Sequence, residues 1–280
     1  MTQLIIFTDL DGTLLNGETY DYAATVPIIQ QLQSLKIPVI PVTSKTRAEV
    51  TTLRQDVGLS DPFVTENGSG IFVEVNHNPF NQPPGEQDGD YYVVDLGCPY
   101  VQARAGLRVI ANELQHSLLG FGDMTIKRLQ KYTGLSAKDA QEAKARDFSE
   151  PFITPKAVTS EQIIAAVEAV GFKVVVGDRF SHLIGPDAGK GNAVKRLVAL
   201  YQSLLPPEET IVTIGLGNSP NDIDMLTHVD HPIVLPGING PHPQLGNRGW
   251  DIAPSPAPQG WVEAVTAICQ QFDIVLKRPL

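Results

Sequence analysis

Two aspartates spaced two residues apart, Asp9 and Asp11 in IIFTDLDGTLL (residues 5–15), stand at the end of an apolar run of strand character. Carboxylates this close repel each other unless a cation lies between them. A small hard divalent ion such as Mg²⁺ takes oxygen ligands and commonly brings a phosphate with it. One carboxylate can then attack phosphorus while the other manages the proton. Gly12 permits a tight turn behind the pair, and Thr13 offers a hydroxyl. An isolated D-x-D is more often a solvated acidic turn, and the buried strand ahead of this one gives the pair its other meaning.

A second polar group follows another apolar run, in IVTIGLGNSPNDIDML (211–226), where Asn218, Asn221 and Asp222 supply oxygens behind Gly215 and Gly217. Alone it reads as a loop capping a helix; with the first pair it completes a metal site. Asp224 reads as facing solvent. PVIPVTSKT ends on Ser44, whose hydroxyl can hold a phosphate oxygen and also cap the next helix. In GPDAGKGNAVKRL, Lys190 stands between Gly189 and Gly191 at a helix start, where an ammonium and free backbone donors together favour an anion.

These groups act together only if the fold gathers them. LIIF, IPVIPV, IVTIGL and PIVL are apolar throughout, as strands covered on both faces are, and helical patterns such as ATVPIIQQLQSL and KTRAEVTTLRQDVG separate them. That alternation predicts an α/β fold with a parallel sheet, whose ligand loops lie at the carboxyl ends of its strands. Residues 76–90 are rich in Pro, Gly, Asn and Asp and read as a linker or exposed loop. Beyond them come a strand (YYVVDL), a helix (QARAGLRVIANELQ), a helix opened by Ser136 that must stop before Pro151, and a helix ending at Gly171. Two strands around a Gly177-Asp178 turn complete this section. The expected organisation is a core made of residues 1–86 and 185–280, with an α+β unit of residues 87–184 inserted.

Composition narrows the function. With 280 residues, 42% hydrophobic and 19% charged, the chain can build a large core and a second unit. Its 21 basic and 31 acidic residues leave a net charge of −10, which argues against nucleic-acid or anionic-membrane partners. An anionic substrate therefore needs local cations. Cys98 and Cys269 are far apart and match no ligand spacing, which favours a reducing, cytoplasmic setting over a disulfide. The start, MTQLIIFTD, lacks the basic segment of a signal peptide, and no apolar run reaches the roughly 18 residues of a membrane span.

In this order the four polar elements resemble the motifs of the haloacid dehalogenase superfamily of phosphohydrolases. DLDGT corresponds to its first motif, Ser44 to the second, Lys190 to the third and GNSPND to the fourth, with the insertion where type-C2 caps sit. The resemblance implies a Rossmann-like core and a capped site. It makes Asp9 the nucleophile that becomes an aspartyl-phosphate, Asp11 the acid and later the base, and Ser44 and Lys190 the groups that position phosphate and nucleophile. It places Mg²⁺ on Asp9, the Asp11 carbonyl, Asn218 and Asp222. Asn218 departs from the pattern, which usually has an acid there; the lost charge predicts weaker metal affinity, with Asp222 carrying more of the load.

The stretches TSKT, ENGSGI, TGLSAKDAQEAKARDFSEPF, GDRFSHLIG and GWVEAV are similar to the mannosyl-3-phosphoglycerate phosphatase family. This implies a substrate with a phosphate, a carboxylate and a sugar, mannosyl or glucosyl, with the cap excluding water and selecting the leaving group. Suitable partners for the two anionic groups are Arg146, Arg179, His182 and Lys45; Glu150 and Asn67 suit sugar hydroxyls, and Gly12, Thr13, Gly68 and Asn221 line the same loops. Plainer readings exist. Arg146 suits a helix C-terminus, Arg179 is an exposed residue after a turn, His182 a core histidine, and Glu66-Asn67-Gly68 a bare turn. A sugar phosphomutase or phosphotransferase, another sugar-phosphate phosphatase, and a non-catalytic binder suggested by Asn218 remain the alternatives.

Overall fold

The computed structural model describes residues 2–177 and 179–277. Strand β1 (Thr2–Thr8), helix α1 (Val26–Ser34), β2 (Val39–Pro41) and α2 (Arg47–Val57) come first. Two hairpins follow, β3 (Phe63–Thr65) with β4 (Gly70–Glu74), and β5 (Glu86–Asp88) with β6 (Tyr91–Asp95). The middle carries α3 (Tyr100–Glu113), α4 (Ile126–Thr133), α5 (Ala137–Lys144), β7 (Glu150–Ile153), α6 (Ser160–Ala169), β8 (Lys173–Val175) and β9 (Phe180–Ile184). Next come α7 (Lys190–Gln202), β10 (Thr210–Gly217), α8 (Ile223–Leu226) and β11 (His231–Val234). Then α9 (Pro243–Gly246), β12 (Asp251–Ile252) and α10 (Gln259–Gln271) complete the core.

Five strands form one parallel sheet in the order β12-β11-β10-β1-β2, the expected α/β core. Both faces of β1 are buried. Leu4 and Ile6 pack with Ile28, Leu32, Trp261 and Val265, while Ile5 and Phe7 pack with Val194, Leu197 and Met225 on the other side. A large apolar side chain fully removed from water contributes roughly 1.5–3 kcal/mol, so the register of β1 is firmly held. That register runs parallel to β10 from Thr2↔Thr210 to Thr8↔Leu216. It sets the first polar loop directly beside the fourth.

The middle section differs from expectation at its edge. The strand YYVVDL, assigned by sequence to the inserted unit starting at 87, is β6, and it pairs with β4 in the sheet β3-β4-β6-β5. Its alternate residues explain why: Tyr91 and Val93 pack into one core cluster, Tyr92 and Val94 into the other. The expected linker 76–90 likewise contains β5, and Phe80 is buried edge-on against Tyr201. After residue 97 comes a separate antiparallel sheet, β7-β9-β8, covered on one face by α3 and α6 through Leu107, Ile110, Phe152, Ile163, Val167 and Leu183. The predicted turn at Gly177-Asp178 lies partly outside the described residues. Ser136 caps α5 as expected, accepting the Asp139 N–H at 3.2 Å. Among the described residues no helix is long and apolar enough to cross a membrane.

Candidate active site

Asp9 follows β1 directly, with its N–H on the Leu216 carbonyl (2.9 Å). From below, the Trp261 indole N–H donates to the Thr8 hydroxyl (3.1 Å), and that hydroxyl donates to the Asp9 carbonyl (2.8 Å). The main chain of Asp9 is thus pinned on both sides. Its side chain meets the ammonium of Lys190, which donates to Asp9 Oδ1 at 2.7 Å and to Asp222 Oδ1 at 2.6 Å. All three groups are buried.

Burial raises the Asp9 pKa to about 7, the nearby charge of Asp222 adds to this, and Lys190 opposes it. For Lys190 burial disfavours the charge, but Asp222 and Asp9 outweigh it and hold the pKa above the ordinary lysine value. Removing one partner from such a buried pair costs about 3–5 kcal/mol, because a charge is left uncompensated. Asp222 is tied further by the N–H groups of Asn218 (2.9 Å) and Ser219 (3.0 Å) on Oδ2. It shapes its own loop while it holds Lys190.

The second carboxylate, Asp11, pairs with Lys45 at 2.9 Å through Oδ2, and its enclosed Oδ1 has no hydrogen-bond partner. Burial works against the Lys45 charge, yet Asp11 and Glu49 raise its pKa above the usual value. Gly12 has φ +74°, a conformation that favours glycine, and a Cβ there would lie 2.3 Å from Asn218 Nδ2 and displace that amide. Thr13 donates to Asn218 Oδ1 at 3.3 Å. Asn221 donates to Asn67 Oδ1 at 3.2 Å, and the backbone of Gly68 (φ +87°) is pressed against Gly189: a Cβ on Gly68 would lie 2.1 Å from the Gly189 carbonyl.

Some expectations for these loops are corrected. Ser44 does not cap α2; Thr46 does, in a capping box with Glu49 that a serine two residues earlier cannot form. One of the backbone donors expected to face an anion at the start of α7 is already taken, because Asp224 Oδ2 accepts the Gly191 N–H at 2.8 Å. Asp224, expected to face solvent, is exposed but does this capping work.

The inserted unit brings fewer of its expected residues to Asp9. Arg146 does reach the core, donating to the Ser44 carbonyl at 2.9 Å, but its guanidinium is also spent on the Ala143 carbonyl. His182 pairs with Pro151 in register, on the face away from α3 and α6; burial first, then the charges of Arg146 and Lys190, push its pKa from 6.5 down to about 3. Strand alternation sends Glu150 the other way, with Phe152, where Oε1 accepts the Gly122 N–H at 2.8 Å and Tyr100 stands beside it. Arg179 is exposed and donates to the Tyr132 carbonyl at 2.6 Å. Neither Glu150 nor Arg179 joins the cluster around Asp9. Sequence reading also passed over Glu66, whose buried carboxylate ties the core to the inserted unit; ENGSG signals a turn, but nothing local marks a partner some eighty positions on.

A divalent cation fits the donors present. Among the described residues no three His, Cys, Asp or Glu side chains form a closed cage. The available set is Asp9, the Asn218 amide oxygen and the main-chain oxygen of Asp11, all hard oxygen donors; Asp222, expected as a ligand, has Oδ1 on Lys190 and Oδ2 on the Asn218 and Ser219 N–H groups. The enclosed Asp11 Oδ1 has no hydrogen-bond partner beside these donors, as expected of an oxygen next to an ion site.

A parallel sheet with a buried carboxylate at one strand tip and a lysine bridging two acids defines a class. A family model described as haloacid dehalogenase-like hydrolase matches residues 6–88. The fold agrees with that of a phosphatase of this superfamily from Bacteroides thetaiotaomicron, at TM-score 0.69 and 12% identity, covering 98% of this chain and 96% of the other. A glucosyl-3-phosphoglycerate/mannosyl-3-phosphoglycerate phosphatase from Persephonella marina is 36% identical over 270 residues, 96% of this chain and 98% of its own. A mannosyl-3-phosphoglycerate phosphatase from Pyrococcus furiosus is 32% identical over 231 residues, 82% and 90% of the two chains. The chain belongs to the mannosyl-3-phosphoglycerate phosphatase family of haloacid dehalogenase-like hydrolases. It is a phosphoric monoester hydrolase.

Proposed function

We propose that the protein is a Mg²⁺-dependent phosphatase that removes phosphate from mannosyl-3-phosphoglycerate or its glucosyl counterpart, leaving the glycosylglycerate. The observation that carries this reading is the Lys190 ammonium held between Asp9 and Asp222, which joins residues from three distant parts of the chain. With Oδ1 of Asp9 engaged by Lys190, Oδ2 is the oxygen left to attack phosphorus. The new Asp9 Oδ2–P bond forms as the P–O bond to the glycerate breaks, and Asp11 gives its proton to the departing oxygen. Asp11 then takes a proton from water, whose oxygen attacks phosphorus and frees Asp9 and inorganic phosphate. Lys45 and Lys190 keep the two carboxylates oriented, and Ser44 takes a phosphate oxygen.

Asp9, the Asp11 carbonyl and Asn218 would hold the ion, with Asp222 organising the loop. When bound, Mg²⁺ neutralises the charge gathering on the phosphoryl oxygens. We assign residues of about 97–185 to the cap and the rest to the core. On the cap, His182, whose buried Nδ1 has no hydrogen-bond partner, is the residue we assign to the leaving group. Buried free cysteines, Cys98 and Cys269, support a reducing cytoplasmic setting.

The test is a panel of phosphomonoesters, both glycosyl-3-phosphoglycerates included, assayed for free phosphate with and without Mg²⁺. Metal-dependent release from a glycosyl-3-phosphoglycerate is expected. Turnover seen only after adding a sugar bisphosphate would point to a mutase instead, and a preference for another sugar phosphate would discard the substrate.

A further inference from the structure

Glu66 takes no part in the chemistry above, yet few side chains in the molecule are bound so thoroughly. Its carboxylate is fully buried and accepts the N–H groups of Asp147 (2.8 Å), Phe148 (3.2 Å) and Ser149 (2.7 Å), together with the Ser149 hydroxyl (2.5 Å). Arg146 Nη1 stands 4.0 Å from Oε2. A buried carboxylate is tolerated only when so satisfied. All five groups belong to one segment, residues 146–149, the return path from the helical part of the cap into β7.

The backbone of the same turn reaches the opposite way. Glu66 N–H donates to the Lys45 carbonyl and Asn67 N–H to the Thr43 carbonyl, each at 2.9 Å, while Arg146 holds the Ser44 carbonyl between them. Three successive carbonyls around Ser44 are therefore fixed by Asn67, Arg146 and Glu66. To do this Glu66 and Asn67 both adopt left-handed backbone, at φ 51° and 58°, which non-glycine residues seldom do. Strain kept at adjacent residues calls for a purpose.

We infer that Glu66 is a positioning residue of the phosphatase reaction: its carboxylate seats residues 146–149 on the Ser44 loop, so that docking of the cap and orientation of the phosphate-holding hydroxyl are one event. The inference rests on reading Ser44 as a phosphate ligand. Replacing one oxygen of Glu66 by an amide keeps the shape but in either orientation turns a donor toward at least one of the N–H groups the carboxylate accepts, and removes the charge that faces Arg146.

The experiment compares Glu66→Gln, Arg146→Ala and the double variant with wild type, using mannosyl-3-phosphoglycerate and p-nitrophenyl phosphate, with rates expressed per folded molecule below each Tm. The expected result for Glu66→Gln is a kcat lowered about ten-fold or more on both esters with KM changed less than about three-fold, since phosphate orientation is common to both. The double variant should be little worse than the poorer single one, because both residues act through the Ser44 loop. A kcat within about two-fold of wild type, or single effects that multiply, overturns the inference. If Glu66→Gln does not fold, Ser149→Ala, which deletes one donor to Oε2, serves: kcat should drop by about two-fold or more at constant KM, and no change overturns. A wild-type protein inactive on both esters would instead refute the phosphatase reading itself.

Discussion

The strand tips of the core and the sheet of the cap both carry charged and polar groups, but they use them differently. In the core, Asp9, Asp222 and Lys190 are buried together, with the lysine shared between the two acids. In the cap, Glu150 is bound by Gly122, Arg179 by the Tyr132 carbonyl, and Arg146 by carbonyls of Ser44 and Ala143. The core therefore presents a charge arrangement that chemistry needs, whereas most cap charges hold the cap together or fasten it down. A charged residue in a cap is no guide to the ligand until its existing bonds are counted.

The sharpest way to break this contrast is at its centre. Asp9→Asn should lower phosphate release by roughly three orders of magnitude or more, with the circular dichroism spectrum retained. A variant near wild-type rate would remove the nucleophile from the core.

A smaller effect should come from acid. His182 stays neutral in the fold, with a pKa of about 3 against 6.5 when unfolded, because burial and two neighbouring cations disfavour its charge. The unfolded chain therefore binds the proton first: the stability contributed by His182 is complete above 6.5 and is lost as pH falls toward 3. His182→Asn should lose less stability than wild type between about pH 7.5 and about pH 4.5 in urea titrations. Parallel profiles would mean that the ring is not enclosed as described.

Arg179→Ala should do least, leaving turnover within about two-fold and stability within about 0.5 kcal/mol, as expected of an exposed side chain. A large rise in KM would return Arg179 to the substrate and weaken the contrast.

How much could be read beforehand follows the same division. The apolar run of β1 ending in Asp9 and Asp11, and Lys190 between glycines, are local patterns, and their meaning survives folding. The capping of α2 was legible in type but not in place, since Ser44 and Thr46 both carry hydroxyls and only the reciprocal bond with Glu49 decides. Asp224 on the α7 terminus, and Glu66 on residues 147–149, are meetings of segments far apart, which periodicity does not report. Glu150 and His182 were both plausible ligands by residue type. Strand register alone, with Glu150 opposite Leu183 and His182 opposite Pro151, sends them to different faces.

The bond from Trp261 to Thr8, and from Thr8 to the Asp9 carbonyl, has a consequence for the order in which the enzyme comes alive. Asp9 is synthesised before its lysine (Lys190), its partner acid (Asp222) and the indole that steadies its backbone (Trp261), all of which lie far downstream in the chain. A nascent chain that has not yet reached α10 carries Asp9 without the indole that steadies its main chain, so the strand tip takes its final form only after that helix has docked.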